Sequence, residues 1–132
     1  MANAKNYVIS LLGVATAGMQ AGDTKTTVYT VPVGKIAIID HVVVRSPSAS
    51  LNATGTGSFD FGSGATCTTF RQNVDLDTMT ATTDFMIIRG ADVTKYTHEV
   101  AGNTFGILPD AANGAVADVT ATIEVWGHEF DA

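Results

Sequence analysis

Three histidines are the first residues of this sequence that could do chemistry, because imidazole binds transition metals and exchanges protons near neutral pH. His41, His98 and His128 fall on three different segments of the chain and share no short spacing. A small metalloenzyme built on a β-sandwich, for instance, would need two histidines and a glutamate close together on one strand, and these three do not provide that. We therefore predict no metal site, no cofactor, no catalytic residues and no enzymatic activity.

A pair of carboxylates, Asp75 and Asp77, is the next candidate. Two carboxylates on the same side of a strand or loop repel each other unless a cation or a proton lies between them. Calcium prefers such oxygen ligands, but only two are visible here and no calcium-loop pattern follows them. The spacing favours a solvated edge whose charges oppose sheet-to-sheet pairing.

Cys67 is the one cysteine of the chain, so an internal disulfide is excluded. It lies between two threonines in a run that resembles a strand. We predict a small buried or half-buried side chain without a nucleophilic role, because no histidine or positive charge adjoins it in the sequence.

The composition narrows the classes of partner. The chain has 132 residues, of which 45% are hydrophobic and 15% charged, which is enough apolar material for one folded domain. Thirteen acidic residues against seven basic ones give a net charge of −6. That balance argues against binding to a phosphate backbone or an anionic membrane surface, and no apolar run is long enough to span a bilayer. We predict neither a nucleic-acid nor a membrane partner.

Turn-forming residues recur about every ten positions, with short Thr- and Val-rich stretches between them. This spacing predicts an all-β, antiparallel β-sandwich. The stretch from Val116 to Glu129 alternates strictly and puts Trp126 on its polar face, where an exposed tryptophan favours a binding surface. The other predicted strands are 26–31, 35–45 (a central strand), 57–61, 65–71 and 73–77 (edge or surface strands), 84–89 (a buried strand), 94–100 and 104–108.

The N-terminal segment differs from the rest, because its glycines and hydroxyl side chains make a poor helix while its apolar side chains need a partner. We divide the chain into an N-terminal arm or added strand, residues 1–24, and one sandwich domain, residues 25–132. An apolar arm favours main-chain pairing with another subunit or another protein. The predicted interface residues are Tyr7, Val8, Ile9, Leu11, Leu12, Val14 and Trp126.

Two motifs carry a resemblance to a known family. Residues 27–39 contain Tyr-Thr-Val-Pro-Val-Gly-Lys, which resembles the entry into the first long strand of many small β-sandwich virion proteins of tailed bacteriophages. Residues 121–130 contain Val-Trp-Gly-His, which resembles the Val-Phe-Gly-Tyr of their last strand. Trp126 and His128 depart from the usual Phe and Tyr but keep two bulky rings two residues apart.

The resemblance implies a jelly-roll-like sandwich and a structural role in the virion. The expected function is that of a capsid decoration (cement) protein, a homotrimer that binds the major capsid protein or another virion protein and stabilises the head shell. Such a protein is made in the cytoplasm of the bacterial host and resides in the virion. One alternative is a tail, baseplate or fibre component. Another is a carbohydrate-binding module, for which Tyr29, Tyr96 and Trp126 would have to form a flat row.

Overall fold

The computed structural model describes residues 8–20, 24–52, 58–91, 97–109 and 119–132. These residues form nine β-strands and no helix. The strands are β1 (Ser10–Gly18), β2 (Thr26–Thr30), β3 (Lys35–Arg45), β4 (Phe59–Ser63), β5 (Arg71–Val74), β6 (Phe85–Arg89), β7 (Thr97–Val100), β8 (Thr104–Pro109) and β9 (Thr120–Asp131).

The strands form two antiparallel sheets that pack face to face, so the fold is the predicted β-sandwich. The first sheet has the order β1-β9-β3-β6, with β7 pairing the other half of β3 beside β6. The second sheet has the order β2-β8-β4-β5. Because the chain passes repeatedly from one sheet to the other, and the first and last strands pair, the topology is that of a jelly roll.

Alternation along the strands builds the core. In β9 the side chains of Ala121, Ile123 and Val125 are buried between the sheets, while their neighbours in sequence point outward. The facing sheet contributes the rings of Phe59, Phe61 and Phe105, all of them inaccessible or nearly so. Period-two patterning therefore fixes which face of each strand is inside.

Most strand predictions are confirmed, among them the central strand 35–45, whose bounds agree with those of β3. The predicted strand 65–71 is wrong, because residues 64–67 form a turn in which Cys67 has a φ of 51°. The predicted strand 73–77 is also wrong, since β5 ends at Val74. Residues 85–89 do form a strand, but Phe85 and Ile87 are exposed rather than buried.

The N-terminal segment joins the chain's own sheet over much of its length. Residues 10–18 pair with β9 as strand β1, and the Met19 amide donates a hydrogen bond to the Val119 carbonyl at 2.9 Å. Ala17 and Met19 are completely buried. The added strand expected within residues 1–24 thus lies at one edge of the first sheet. Residues 1–7 and 21–23 lie outside the described residues.

Candidate interaction surface

Every strand of the first sheet contributes apolar side chains to its outer face, where they are interspersed with polar and charged ones. Register places five rows of side chains on it, since directly paired residues of neighbouring strands share a face. One row runs from Val14 on β1 through Glu124 and Val43 to Ile87 on β6. The row beyond it places Phe85 beside Arg45. At the other end of the sheet, Ile36 of β3 lies between Phe130 of β9 and Val100 of β7.

Several of these apolar side chains are open to solvent. Phe85 is 67% exposed, Val14 52%, Ile87 49% and Val100 47%. We call this surface the apolar face; its members are Leu11, Val14, Ile36, Ile38, Val43, Phe85, Ile87, Val100, Trp126 and Phe130. Large exposed apolar patches are uncommon on monomeric soluble proteins, which makes this face the candidate interaction surface.

The outer face of the second sheet has a different character. Most of its paired positions hold small and polar side chains, with Thr27 opposite Gly106 and Thr30 opposite Thr104, while the half-buried Leu108 lies opposite Asp60. Asp60 lies there as well, and its carboxylate accepts a hydrogen bond from the Asn73 amide at 2.9 Å. The two sheets thus share the core but present chemically distinct surfaces.

An aromatic pair occupies the centre of the apolar face. Trp126 of β9 and His41 of β3 are directly paired across the strands, and their rings stack with centroids 5.9 Å apart and planes inclined by 7°. The His41 Nδ1 lies 2.6 Å from the Asp40 carboxylate, which fixes the orientation of the imidazole. A second stack, of His128 on Phe130, extends the ring surface along β9.

Charged groups on this face are paired with one another. The Arg45 Nε donates to Glu124 at 2.8 Å, and the Trp126 Nε1 donates to the other oxygen of Glu124 at 3.0 Å. The Arg89 guanidinium lies 3.4 Å from Asp40. Desolvation raises the pKa of Glu124, but the hydrogen bonds from Arg45 and Trp126 and the positive charge of Arg45 outweigh it, and the net pKa is lowered. Glu124 is therefore a stable carboxylate at neutral pH.

The predicted interface residues fall mostly on or beside this face. Leu11 and Val14 belong to it, and Val8 and Ile9 precede β1 and are exposed. Leu12 instead packs against the core, because the register shift between Leu11 and Gly13 turns it to the other side. Tyr7 lies outside the described residues.

Sequence reasoning missed the contributions of β6 and β7 to the face. Residues 84–89 are predicted as a buried strand, but β6 buries only Ile88 and leaves Phe85 and Ile87 exposed. Alternation could have separated Phe85 and Ile87 from Met86 and Ile88. It could not have indicated that the sheet is covered on one side only.

The other sequence candidates have structural roles in the described part of the chain. Asp75 accepts a hydrogen bond from the Asp77 amide at 2.8 Å, which caps a turn. Cys67 is fully buried, and burial raises the pKa of its thiol. His98 and His128 flank Ile38 on the outer face. Within the ranges that the structure describes, no group of three or more His, Cys, Asp or Glu residues is placed to hold a metal ion.

One end of the interior is polar. Glu99 is 2% exposed, and its two oxygens accept hydrogen bonds from Thr69 at 2.7 Å and Asn103 at 2.8 Å. Tyr29, which lies between the sheets, donates to Glu129 at 2.7 Å. These buried groups are satisfied by one another, as buried polar groups usually are. Since Tyr29 points inward, it does not share an exposed aromatic row with Trp126; Tyr96 lies outside the described residues.

Comparisons with known proteins return no match to a family model, to a curated protein or to a solved structure. Among the described residues, no helix is long and apolar enough to cross a membrane.

Proposed function

We propose that the protein is a structural virion protein of a tailed phage, a capsid decoration protein that binds and stabilises the head shell. The observation that carries the proposal is the apolar face, a broad exposed surface with internally paired charges on a jelly-roll domain. Such a surface suits assembly, because apolar burial drives association and paired charges avoid a large desolvation penalty.

The sequence motifs add to this support. The entry motif Tyr29–Lys35 leads through a tight turn into β3, and the closing motif forms the middle of β9. These strands pair with each other at the centre of the first sheet, so both motifs belong to the part of the fold that bears the apolar face. The proposed partners are further copies of the chain and the major capsid protein or another virion protein.

Charge is consistent with a place on the outside of a DNA-filled head. With a net charge of −6, the chain is repelled by packaged nucleic acid and stays soluble before assembly. The lone buried thiol is compatible with synthesis in a reducing bacterial cytoplasm and residence in the virion afterwards.

The proposal is tested with particles of a phage from whose genome the gene for this chain has been deleted. Purified protein is added to isolated heads and, separately, to isolated tails, and binding is followed by co-sedimentation. We expect saturable binding to heads at a fixed ratio, and a rise in the temperature at which heads release their DNA.

Two results would reject a decoration role. Binding to tails or baseplates with none to heads would favour the alternative function, that of a tail, baseplate or fibre component. Absence from every virion fraction, combined with binding in a glycan screen, would replace the virion function with carbohydrate recognition.

A further inference from the structure

Exposed apolar side chains reach both lateral borders of the first sheet. Val14 lies on the edge strand β1, whereas Ile87 and Val100 lie on β6 and β7 at the opposite border. The half-buried side chains Ile36 and Val43 of β3 fill the space between them. The surface is therefore a continuous sheet face and not a single exposed strand.

The charge of this face differs from the charge of the molecule. Arg45 is balanced by Glu124, and Arg89 by Asp40, so these ion pairs leave the face without excess charge. The acidic residues Asp60, Asp75 and Asp84 lie elsewhere, on the second sheet or in the segment between β5 and β6. Two copies with a net charge of −6 repel each other, and they repel least where each presents its balanced face.

The pattern of charges is also self-complementary. Each arginine adjoins a carboxylate on the same surface, so a second copy turned about a symmetry axis offers an acid for each base and a base for each acid. A partner with a strongly charged surface would instead have to break these pairs, which is costly once water is excluded.

The face is large enough to form a stable interface between two copies. Four strands at the usual spacing, along the length of β9, cover on the order of 700 Å². Stable interfaces bury about 800 Å² on each partner, so the apolar face and its rim can supply one complete interface.

We propose that the apolar face is the surface through which copies of this chain associate, sheet packed against sheet. The outer face of the second sheet and the loops are then left for the head shell. This inference rests on the proposed assembly function for its biological purpose, but its test needs no phage heads, so the two can fail separately.

The unmodified protein contains an intrinsic fluorescent probe of this interface. Trp126 is the single tryptophan of the chain and lies at the centre of the apolar face. Light scattering is recorded from low micromolar to millimolar concentration, together with tryptophan emission and acrylamide quenching. Because packing of one face on the same face of a second copy is a two-fold contact, we expect a dimer rather than the homotrimer that the resemblance implies, and a trimer would contradict it. The dimer should dissociate on dilution, with a red shift and stronger quenching of the emission over the same concentration range.

Matched substitutions locate the surface. Val100→Asp and Ile87→Asp each place a carboxylate on the apolar face at a position that is about half exposed in the single chain. Val33→Asp is the control, because Val33 is 96% exposed in the turn before β3, outside the strands that form the face. We expect the two face variants to raise the dissociation constant roughly a hundredfold and the control to leave it unchanged. Circular dichroism confirms that each variant is folded.

Several outcomes would overturn the inference. A monomer at every concentration would do so, as would an oligomer whose dissociation leaves the Trp126 emission and quenching unchanged. If the protein is monomeric but Ile87→Asp abolishes binding to heads, the face belongs to the shell protein; self-association is then rejected while the proposed function stands.

Discussion

Single residues in this fold are constrained most where two strands approach closely. Gly127 lies in the middle of the pairing between β9 and β3, and a Cβ added there would collide with the Ile38 carbonyl oxygen. Gly13 has the same relation to the Val28 carbonyl, between β1 and β2. At both places the obstacle is backbone, which cannot rotate aside as a side chain can. The absence of a side chain is therefore a packing requirement at both positions.

Replacing Gly127 with alanine is expected to lower the free energy of unfolding by about 2 kcal/mol, the usual cost of forcing extra volume into a packed interior. Urea denaturation measures it. Gly90→Ala is the matched control, because the atom nearest to a Cβ added at Gly90 is a carbon of the Phe70 ring, at an ordinary contact distance of 3.4 Å. Equal losses in the two variants would contradict the role assigned to the close strand approach.

Tyr29 is expected to make stability depend on pH in the alkaline range. Burial, the hydrogen bond to Glu129 and the negative charge of Glu129 raise its pKa well above the ordinary value near 10. Above that ordinary value the unfolded chain loses the phenolic proton while the folded chain keeps it. The contribution of Tyr29 to stability is thus complete below about pH 10 and declines as the pH rises further.

Tyr29→Phe isolates this effect. The variant should be less stable by about 2 kcal/mol at neutral pH, since Glu129 loses a donor, and the difference from the unmodified protein should shrink above about pH 10. Urea denaturation at several pH values measures it. A constant difference across the alkaline range would contradict the assignment.

At the scale of elements, sequence patterning predicted the strands that pack against the core. It failed at a turn that depends on an unusual backbone conformation, and on the side of the first sheet that nothing covers in the single chain. Strict alternation in β9 and the turn before β3 were sufficient to locate both strands. The turn at residues 64–67 was missed because Cys67 adopts a left-handed conformation that nothing in a Thr-rich stretch signals. The apolar face was predicted only in part, at Leu11, Val14 and Trp126, because the exposure of Phe85 and Ile87 depends on the tertiary arrangement.

Strand β1 is expected to stabilise the fold as well as any assembly. Met19→Ala removes a completely buried side chain just after β1 and should cost about 3 kcal/mol in the free energy of unfolding. Val8→Ala removes an exposed side chain just before β1, so its effect should stay below about 0.5 kcal/mol. Thermal and urea denaturation of both variants measure this. A Met19→Ala protein as stable as the parent would show that this segment is only an appended arm.

For the whole molecule, net charge and the apolar face act in opposite directions on association. The chain is acidic overall, whereas the charges on its apolar face are paired. Copies approaching each other therefore experience repulsion over distances comparable to the Debye length, and attraction only on contact.

Added sodium chloride is accordingly expected to strengthen self-association several-fold, because it screens the repulsion while apolar burial persists. Light scattering at a series of salt concentrations, with Val33→Asp as a control for the effect of one further negative charge, measures the trend. Weakening with salt would indicate that ion pairs between copies dominate the contact.

The pairing of β1 with β9 has a consequence for synthesis on the ribosome. β9 lies between β1 and β3, so these two strands cannot join into one sheet until residues 120–131 have emerged from the exit tunnel. A nascent chain that stops earlier leaves β1 unpaired and the apolar side of β3 open, a state that favours chaperone binding and proteolysis. We therefore expect chains that end before β9 to be degraded before they can join the proposed assembly.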